Sequence, residues 1–548
     1  MPEITFLCKH MDVNIGKRGG GGGLGKTGSL WFWSVALTFA GVWLLLPSLL
    51  HSAYKGDTIE LQIIAKEWVW STPKHPMMSA WLLEICNILT HRAFAAPFIA
   101  SAFCTILILY SVWQLGRNVL PEKFALIGTF AMLPYLPLTL KSHLYNPNTA
   151  LMLFWTLTIF TFYYAFQTNK TRWWIAAGLS LGLGLHAKYT IVLLGFALLF
   201  YSLWFPRFRR HWKQTGPWLT ALIACVVFSP HLIWLYQQDA LLTFNYVQEE
   251  LAKRPPIIGP GWDRLACPII FVLGELGLLA VSPLLLLVPI LGWHWKRRLP
   301  DNETERETLN YLLCCMGIPF LLLIFASGIK EIARTTYGFP LWFFLGIYLL
   351  LQFQRRDSHE ALVRSAKWAG LAVTVFVVVF VIQALYDPHI TGTPSRYHYP
   401  MRELGAECDR IWQERFHVPC RHVTGDEWIH CGFAAHNMNT RPSVHCYYGA
   451  VPMGEWVAYD KVNQKGGIVL WDASDFPEQF IPDWVHRHFP RAEVLPEKLE
   501  FPYKTRANIQ PLRIGIALVP PPSSAAPNPT PTSKLLEKHK IVMRQTSG

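Results

Sequence analysis

The sequence predicts an α-helical polytopic membrane protein with about eleven spans, followed by a soluble C-terminal α/β domain. Of its 548 residues, 52% are hydrophobic and only 16% are charged, which is too little charge for the surface of a soluble protein. The apolar residues are gathered in runs of about 20, the length that an α-helix needs to cross a bilayer. These two observations predict a membrane protein.

The first predicted span lies at 30–50. This run is too long for the apolar region of a signal peptide, and no small-x-small cleavage site follows it, so we interpret it as a retained span. A polar loop at 51–92 contains short amphipathic segments at 57–71 and 77–90. The remaining spans are predicted near 93–115, 124–140, 149–167, 173–187, 189–205, 217–236, 268–292, 309–327, 337–353 and 368–386. Some of these runs are shorter than about 20 residues, so the count can change by about two.

Lysine and arginine clusters predict the orientation of the chain. Alternate loops carry the excess, as the positive-inside rule requires, near residues 9–26, 117–123, 170–172, 207–213, 296–306 and 355–367. We therefore expect a cytoplasmic N-terminus and a C-terminus on the outer side, which is the periplasmic side in a bacterial inner membrane. The formal charge of +13 is accounted for by these clusters. No basic patch interleaved with aromatic residues indicates nucleic-acid binding.

Composition also predicts the domain boundaries: a basic glycine-rich tail at 1–28, a membrane domain at 29–386, an α/β domain at 387–519 and a Pro/Ser-rich tail at 520–548. Within the first tail, Gly20, Gly25, Lys26 and Thr27 have the spacing of a phosphate-binding loop. Such a loop follows a buried strand, whereas here a polar tail precedes the glycines and a span follows them. We therefore interpret the glycine run as a flexible tail.

Four cysteines lie in the predicted C-terminal domain, and three interpretations of them stay open. An oxidising periplasm favours disulfide bonds, but free structural thiols are also compatible with the sequence. A zinc site is the third interpretation because histidines lie nearby, although the spacing matches no CxxC-type site. The residues concerned are Cys408, Cys420, Cys431, Cys446, His430, His436 and His445.

The first loop contains candidate catalytic residues. Transfer of a group from a phosphate-linked donor needs a carboxylate to accept the acceptor's proton and a cation near the leaving phosphate. Asp57 and Lys74 are of these types. An acid just outside a span can also be a solvated boundary residue, so these two residues alone do not decide the function.

The order of several motifs resembles a known family. The first span, the acidic motif at Asp57, a short helix, the turn Lys74-His75-Pro76 and Arg92 look like the bacterial branch of the protein O-mannosyltransferase and aminoarabinose transferase superfamily. Its members are polyprenyl-phosphate-sugar-dependent glycosyltransferases of type C. Further similar segments are Tyr145 to Asn148, Gly178 to Gly184 with Lys188 and Tyr189 after them, Ser229 to Trp234 with Asp239 after it, and Arg441 to Trp471.

The sequence departs from the family pattern at three places. The family has an Asp-Glu pair where this chain has Asp57-Thr58, although Glu60 can reach the same space on a helix. An aspartate of the second outside loop is replaced by Asn148, which can orient a substrate or ligate a cation but cannot act as a base. His75 replaces the first of two prolines.

The resemblance implies roles for individual residues. Asp57 and Glu60 would be catalytic. The donor phosphate would be bound by Lys74, Arg92, Lys188 and Arg334, and substrates would be positioned by His75, Asn148, Tyr189, Trp234 and Asp239. Lys188, Arg92 and Arg334 are also of the types that mark span ends, and Trp234 is typical of an aromatic belt. A divalent cation stays possible and no other cofactor is expected.

The resemblance implies an inverting glycosyltransferase with the type C fold, acting at the periplasmic face. It would move a monosaccharide from polyprenyl (undecaprenyl) phosphate to a lipid, glycan or protein, so modification of lipid A or of a glycan is expected. A transporter or flippase of a lipid-linked substrate is an alternative, although no paired Gly/Pro-interrupted spans indicate one. A degenerate member that only binds its ligands is another.

Overall fold

The computed structural model describes residues 24–238, 257–259, 261–280, 284–292, 295–332, 334–448, 451–474, 477 and 480–522. Within these ranges the chain forms a helical bundle followed by a small domain with a mixed sheet. The predicted fold class, a polytopic helical membrane protein with a C-terminal α/β domain, is confirmed.

The helices of the bundle follow the predicted apolar segments. In chain order they are α1 Leu24–Leu50, α2 Gly56–Ala65, α3 Met78–Leu89, α4 Ala96–Gly116, α5 Glu122–Phe130, α6 Pro147–Thr168, α7 Thr171–Ala187, α8 Val192–Trp204, α9 Pro206–Arg209, α10 Thr215–Gln238, α11 Asp263–Leu279, α12 Leu285–Leu291, α13 Glu303–Lys330, α14 Leu345–Gln352 and α15 His359–Thr391. Helices α2 and α3 are the two short segments predicted in the first loop. Helix α15 continues past the boundary that composition predicts at residue 387.

The number of long spanning helices differs from the predicted count of about eleven. Among the described residues, six helices are long and apolar enough to cross a membrane, or seven if the bent pair Tyr189–Trp204 and Pro206–Lys213 is one span. Four other predicted segments contain shorter helices, namely α5, α7, the pair α11 and α12, and α14. In the segment 124–140 the reason is local, because Pro134 and Pro137 follow α5 and each lacks the N–H that a helix interior needs.

A glycine face brings α7 close to α10. A Cβ atom on Gly178 would lie 2.8 Å from the carbonyl oxygen of Thr220, and one on Gly182 would lie 2.8 Å from the Val227 side chain. Small residues let two helix backbones approach in a membrane, where packing and hydrogen bonds drive association. The glycine-rich segment of the sequence is therefore a helix-packing surface.

Two ion pairs join segments at or beside the lysine- and arginine-rich clusters of the sequence. Lys123 pairs with Asp357 at 2.5 Å, and Arg207 pairs with Glu307 at 2.7 Å. The segments near 117–123 and 355–367 are therefore in contact, and so are those near 207–213 and 296–306.

The C-terminal domain contains a six-stranded mixed sheet. Its strands are β1 His422–Gly425, β2 Ser443–His445, β5 Gly467–Asp472, β6 Glu493–Val494, β7 Leu499–Phe501 and β8 Leu512–Val519, while β3 Tyr447–Tyr448 and β4 Val451–Pro452 form a separate hairpin. Strand β1 pairs in parallel with β2 and β5, and β8 pairs antiparallel with β5, β6 and β7. The helices of the domain are α16 Met401–Phe416, α17 Trp428–Asn437, α18 Tyr459–Lys465 and α19 Asp483–His488.

The four cysteines of this domain are buried free thiols. The structure therefore contradicts the disulfide interpretation. It supports the interpretation of these cysteines as free structural thiols. The zinc interpretation also fails within the described residues, since no group of three or more His, Cys, Asp or Glu side chains is arranged to hold a metal ion. Their burial is consistent with a packing role, because a free cysteine packs as a small apolar side chain.

The C-terminal domain is docked on the first loop. A Cβ atom on Gly432 of α17 would lie 2.7 Å from Ile63 of α2, so the two helices are in close contact. Arg441 donates two hydrogen bonds to the buried Glu84 carboxylate of α3, at 2.5 and 2.7 Å. Removing one partner of such a buried pair typically costs about 3–5 kcal/mol. The domain therefore fixes the position of the first loop against the bundle.

Candidate active site

A cavity of about 1020 Å³ opens at the end of the bundle that carries the C-terminal domain. The first loop forms one wall with the start of α2. The other walls come from the segments 137–152 and 188–193, the end of α13 with the loop after it, and Arg396 of the C-terminal domain. The parts of the chain that meet here are far apart in sequence.

The cavity brings together eight of the eleven residues that the sequence predicts for the site. They are Asp57, Glu60, Lys74, His75, Asn148, Lys188, Tyr189 and Arg334. Two others do not line it. Arg92 is exposed in the turn after α3, and buried Trp234 donates its indole N–H to Glu455 of the C-terminal domain. The predicted contributions of Arg92 and Trp234 to substrate contact are therefore not supported by their positions, and Asp239 lies outside the described residues.

The first turn of α2 presents Asp57 to the cavity. Its side chain is exposed, and it forms no ion pair with a described residue. The neighbouring Thr58 points away and donates a hydrogen bond from Oγ1 to the Tyr145 carbonyl oxygen at 3.0 Å. Thr58 thus fastens α2 to the second loop. Asp57 is left as the carboxylate that a substrate can reach.

Glu60 and Lys74 form a pair on the next turn of α2. The Lys74 Nζ atom lies 2.6 Å from the Glu60 Oε2 atom, and the Glu60 side chain is only 3% exposed. Glu60 therefore holds Lys74 in place and neutralises part of its charge. The geometry favours a positioning role for Glu60 over the catalytic role that the sequence predicts.

Lys188 lies at the end of α7 and faces the cavity. Its Nζ atom donates a hydrogen bond to Asn148 Oδ1 at 2.7 Å and lies 4.8 Å from the centre of the Tyr337 ring. Burial and the nearby Arg334 guanidinium lower the pKa of Lys188 to about 8, against the opposing effect of Asp57. An anion bound beside Lys188 would favour its charged form.

His75 is held as a neutral imidazole. Burial, followed by the charges of Lys74 and Lys188, lowers the pKa of His75 well below its usual range. The ring can donate and accept hydrogen bonds at neutral pH but brings no charge to the cavity. This agrees with a role in positioning.

Tyr189 connects the cavity to α10. Its hydroxyl lies 2.6 Å from Nε2 of His231, which is completely buried in the bundle. Sequence reasoning did not select His231, although the residue lies within the segment from Ser229 to Trp234 that carries part of the resemblance.

Several cations of the cavity were also missed. The lining contains seven cationic side chains and two carboxylates, and one of those carboxylates is paired with Lys74. The additional cations are Lys55, Lys141, Lys330 and Arg396. Lys55 could have been found because it precedes Asp57 by two residues. Arg396 could not, because it reaches the cavity only after the C-terminal domain docks.

The residues present do not fit a divalent cation. The Asn148 side-chain oxygen already accepts a hydrogen bond from Lys188, and Glu60 is paired with Lys74. Hard cations take several carboxylate or carbonyl oxygens, and strong positive charge around the site opposes their binding. No metal ion is therefore assigned to the cavity.

An apolar groove of about 780 Å³ adjoins the cavity on the surface of the bundle. It runs between α8 and α13, and Leu193 lines both the groove and the cavity. The other lining residues are Phe196, Leu199, Phe200, Leu203, Trp204, Arg209, Ile318 and Leu322. A charged cavity therefore continues into a surface that suits a hydrocarbon chain.

Known proteins resemble this chain in sequence and in fold. Residues 74–234 match the family model described as dolichyl-phosphate-mannose-protein mannosyltransferase. The chain is also 29% identical over 242 residues to the lipopolysaccharide core galacturonosyltransferase RgtB of Rhizobium johnstonii. The crystal structure of ArnT from Cupriavidus metallidurans in the apo state matches with a TM-score of 0.57 and 12% identity, over 91% of this chain and 98% of that one.

The chain shares its fold with ArnT. ArnT bound to undecaprenyl phosphate matches with a TM-score of 0.53 and 13% identity, over 91% of this chain and 99% of that one. At this identity the likeness concerns the fold. The alignment with RgtB covers 41% of this chain and 45% of the relative, so this chain spans about half the length of the curated relative that it matches. The activity of this chain therefore has to be argued from its own cavity.

Proposed function

We propose that the protein is an inverting glycosyltransferase of the bacterial inner membrane, with its cavity at the periplasmic face. It moves a monosaccharide from a polyprenyl phosphate donor to a lipid, glycan or protein acceptor. One observation carries the proposal: an accessible carboxylate, Asp57, shares a strongly cationic cavity that continues into an apolar groove. These features together suit a lipid-borne phosphate and a proton-accepting group.

The donor occupies both surfaces. Its hydrocarbon chain lies in the groove between α8 and α13, and its phosphate meets Lys74, Lys188 and Arg334. Negative charge grows on this phosphate as the sugar departs, and fixed cations stabilise such charge more in the transition state than in the ground state. ArnT, which shares the fold, has been solved bound to undecaprenyl phosphate, and this supports a lipid phosphate as a ligand.

The transfer is a single displacement. The acceptor hydroxyl oxygen attacks the anomeric carbon, and Asp57 accepts the hydroxyl proton. A new bond forms between the acceptor oxygen and the anomeric carbon, while the bond from that carbon to the phosphate oxygen breaks. The polyprenyl phosphate leaves with the bonding electrons. One attack from the face opposite the leaving group inverts the configuration without a covalent enzyme intermediate.

Envelope composition tests this function in cells. Mass spectrometry of envelope lipids and glycans is expected to show a species in wild-type cells that loses the mass of one saccharide unit when the gene is deleted. The species should return with the wild-type gene but not with the Asp57→Asn variant. An Asp57→Asn variant that restores the species fully would contradict the catalytic role of Asp57, and identical envelopes in deleted and wild-type cells would contradict the transferase itself.

A further inference from the structure

Helix α11 carries an acidic side chain, Glu275, inside the helical bundle. The side chain is fully buried and does not line the cavity. Its Oε2 atom accepts a hydrogen bond from the indole N–H of Trp342 at 2.7 Å, while Oε1 has no hydrogen-bond partner among the described residues. Burying such a group is costly, so an ionisable side chain inside a membrane span indicates a function.

The carboxyl group of Glu275 lies against the turn that follows α13. A Cβ atom on Gly338 would lie 2.5 Å from Glu275 Oε2 and still closer to Oε1, so glycine is the residue that leaves room for the carboxyl group. The φ angle of Gly338 is −83°, which any residue can adopt, so the requirement is for space. One residue earlier on α11, a Cβ atom on Gly274 would overlap with Cγ2 of Thr335. Helix α11 therefore contacts this turn at two adjacent positions.

The same turn forms part of the cavity wall. The 3₁₀-helix Thr335–Tyr337 follows Arg334 directly and ends at Gly338, whose N–H donates a hydrogen bond to the Thr335 carbonyl oxygen at 2.9 Å. Arg334 and Tyr337 line the cavity. The Tyr337 ring faces Lys188, whose Nζ atom lies 4.8 Å from the ring centre. The turn thus has the cavity on one side and Glu275 on the other.

Two further contacts hold the chain after the turn. The Tyr135 hydroxyl donates a hydrogen bond to the Phe339 carbonyl oxygen at 3.2 Å. The Trp342 ring packs edge-on against Phe320 of α13, with ring centres 5.2 Å apart. Both contacts lie beyond the turn, whereas Glu275 contacts the turn itself.

We propose that Glu275 is a positioning residue for the donor phosphate. This inference rests on the proposed function, in which Arg334 meets that phosphate. Through its hydrogen bond and its contact with Gly338, the carboxyl group fixes the turn, and with it the Arg334 guanidinium and the Tyr337 ring. Fixed cations stabilise developing negative charge best, because they need no reorganisation during the reaction. Glu275 acts through these groups and does not touch the substrate.

Binding of undecaprenyl phosphate to the purified full-length protein in detergent tests this role. Glu275→Leu fills a similar space but gives Trp342 no acceptor, so the affinity should fall about fivefold to tenfold, as expected for a residue that acts on a ligand site without contact. Glu275→Gln keeps both the space and the acceptor and should bind within about twofold of the wild type. Thermal unfolding of each variant checks that it is folded.

Gly338→Ala tests the same contact from the other side. The added methyl group must displace the carboxyl group while Glu275 itself stays unchanged, so the affinity should fall as in Glu275→Leu. Gly277→Ala in α11 is the matched control, because no atom lies within 4 Å of its Cβ position, and it should bind like the wild type. This pair of variants decides the question even if Glu275→Leu does not fold.

A double-mutant cycle shows whether Glu275 acts through Arg334. Arg334→Gln removes the guanidinium, so adding Glu275→Leu to this variant should lower the affinity by less than about twofold further. A structural role that does not involve Arg334 would instead lower the affinity by the same factor in both backgrounds.

The outcomes distinguish this inference from the proposed function. Wild-type affinity in folded Glu275→Leu or Gly338→Ala protein would overturn the positioning role. Equal losses in Glu275→Leu and Glu275→Gln would also overturn it, as would additive effects in the cycle with Arg334→Gln. Failure of the wild-type protein to bind undecaprenyl phosphate would instead count against the proposed donor.

Discussion

The position of Lys188 in the cavity determines its pKa, and through it the pH dependence of phosphate binding. Its pKa is lowered to about 8, first by burial and then by Arg334. A phosphate monoester has its second pKa near 6, so the ligand's own titration is complete well below this range. Between pH 8 and 10 the charge of Lys188 therefore changes while that of the phosphate does not.

Undecaprenyl phosphate affinity should fall as pH rises. Lys188 is charged below about pH 8 and contributes fully to binding there; above that pH the free protein must take up a proton to bind, so the affinity decreases by up to about tenfold per pH unit. Titrations between pH 6.5 and 9.5 measure this effect. Lys188→Arg keeps its charge throughout, and a slope in this variant as steep as in the wild type would show that another group titrates.

Residues were predictable from sequence where the motif is local. Asp57 and Lys74 lie in one loop and their residue types indicated phosphate chemistry, whereas Lys188 was selected through the resemblance of the glycine-rich segment before it. Arg396 and Lys141 carry no such signal, because only the tertiary fold brings them into the cavity, Arg396 beside Gly56. Arg92 had the right charge, but the turn after α3 directs it away from the cavity.

At the scale of elements, hydropathy located helical segments better than it counted spans. All the predicted apolar segments contain helix, because apolar runs in a membrane must satisfy their backbone hydrogen bonds internally. Hydropathy does not register where a helix breaks. Pro134 and Pro137 end the helical part of 124–140, and the segment 337–353 contains only the eight residues of α14.

The contact between α7 and α10 provides a test at this scale. Gly178→Val would place a Cβ atom 2.8 Å from the Thr220 carbonyl oxygen, so the two helices must separate, and overpacking of this kind costs about 1–3 kcal/mol. Thermal unfolding in detergent should show a Tm lowered by several degrees. Gly195→Val in α8 is the control because no atom lies within 4 Å of its Cβ position. Equal shifts in both variants would mean that the contact with α10 does not set the loss.

At the scale of the whole molecule, the C-terminal domain is part of the site. It fixes the first loop through Arg441 and Glu84, and it contributes Arg396 to the cavity. Composition predicted that an α/β domain follows the bundle, because alternating strand-like and helix-like runs are a local signal. How the domain docks depends on a buried ion pair between positions 84 and 441, and no local pattern indicates such a pairing.

Asp57 is the residue on which the proposed transfer reaction depends most. A general base typically contributes about 100- to 10,000-fold to a rate, and Asp57 is the exposed carboxylate of the cavity. Asp57→Asn preserves shape and removes the ability to accept a proton, so it separates catalysis from binding. Asp57→Glu, which keeps the carboxylate, is expected to retain part of the activity.

The most direct measurement is single-turnover transfer by purified wild-type and Asp57→Asn proteins, with the donor and acceptor identified from envelope analysis. We expect the transfer rate to be about 100-fold or more lower in Asp57→Asn, with undecaprenyl phosphate affinity unchanged within about twofold. Transfer at the wild-type rate by a folded Asp57→Asn protein would contradict it.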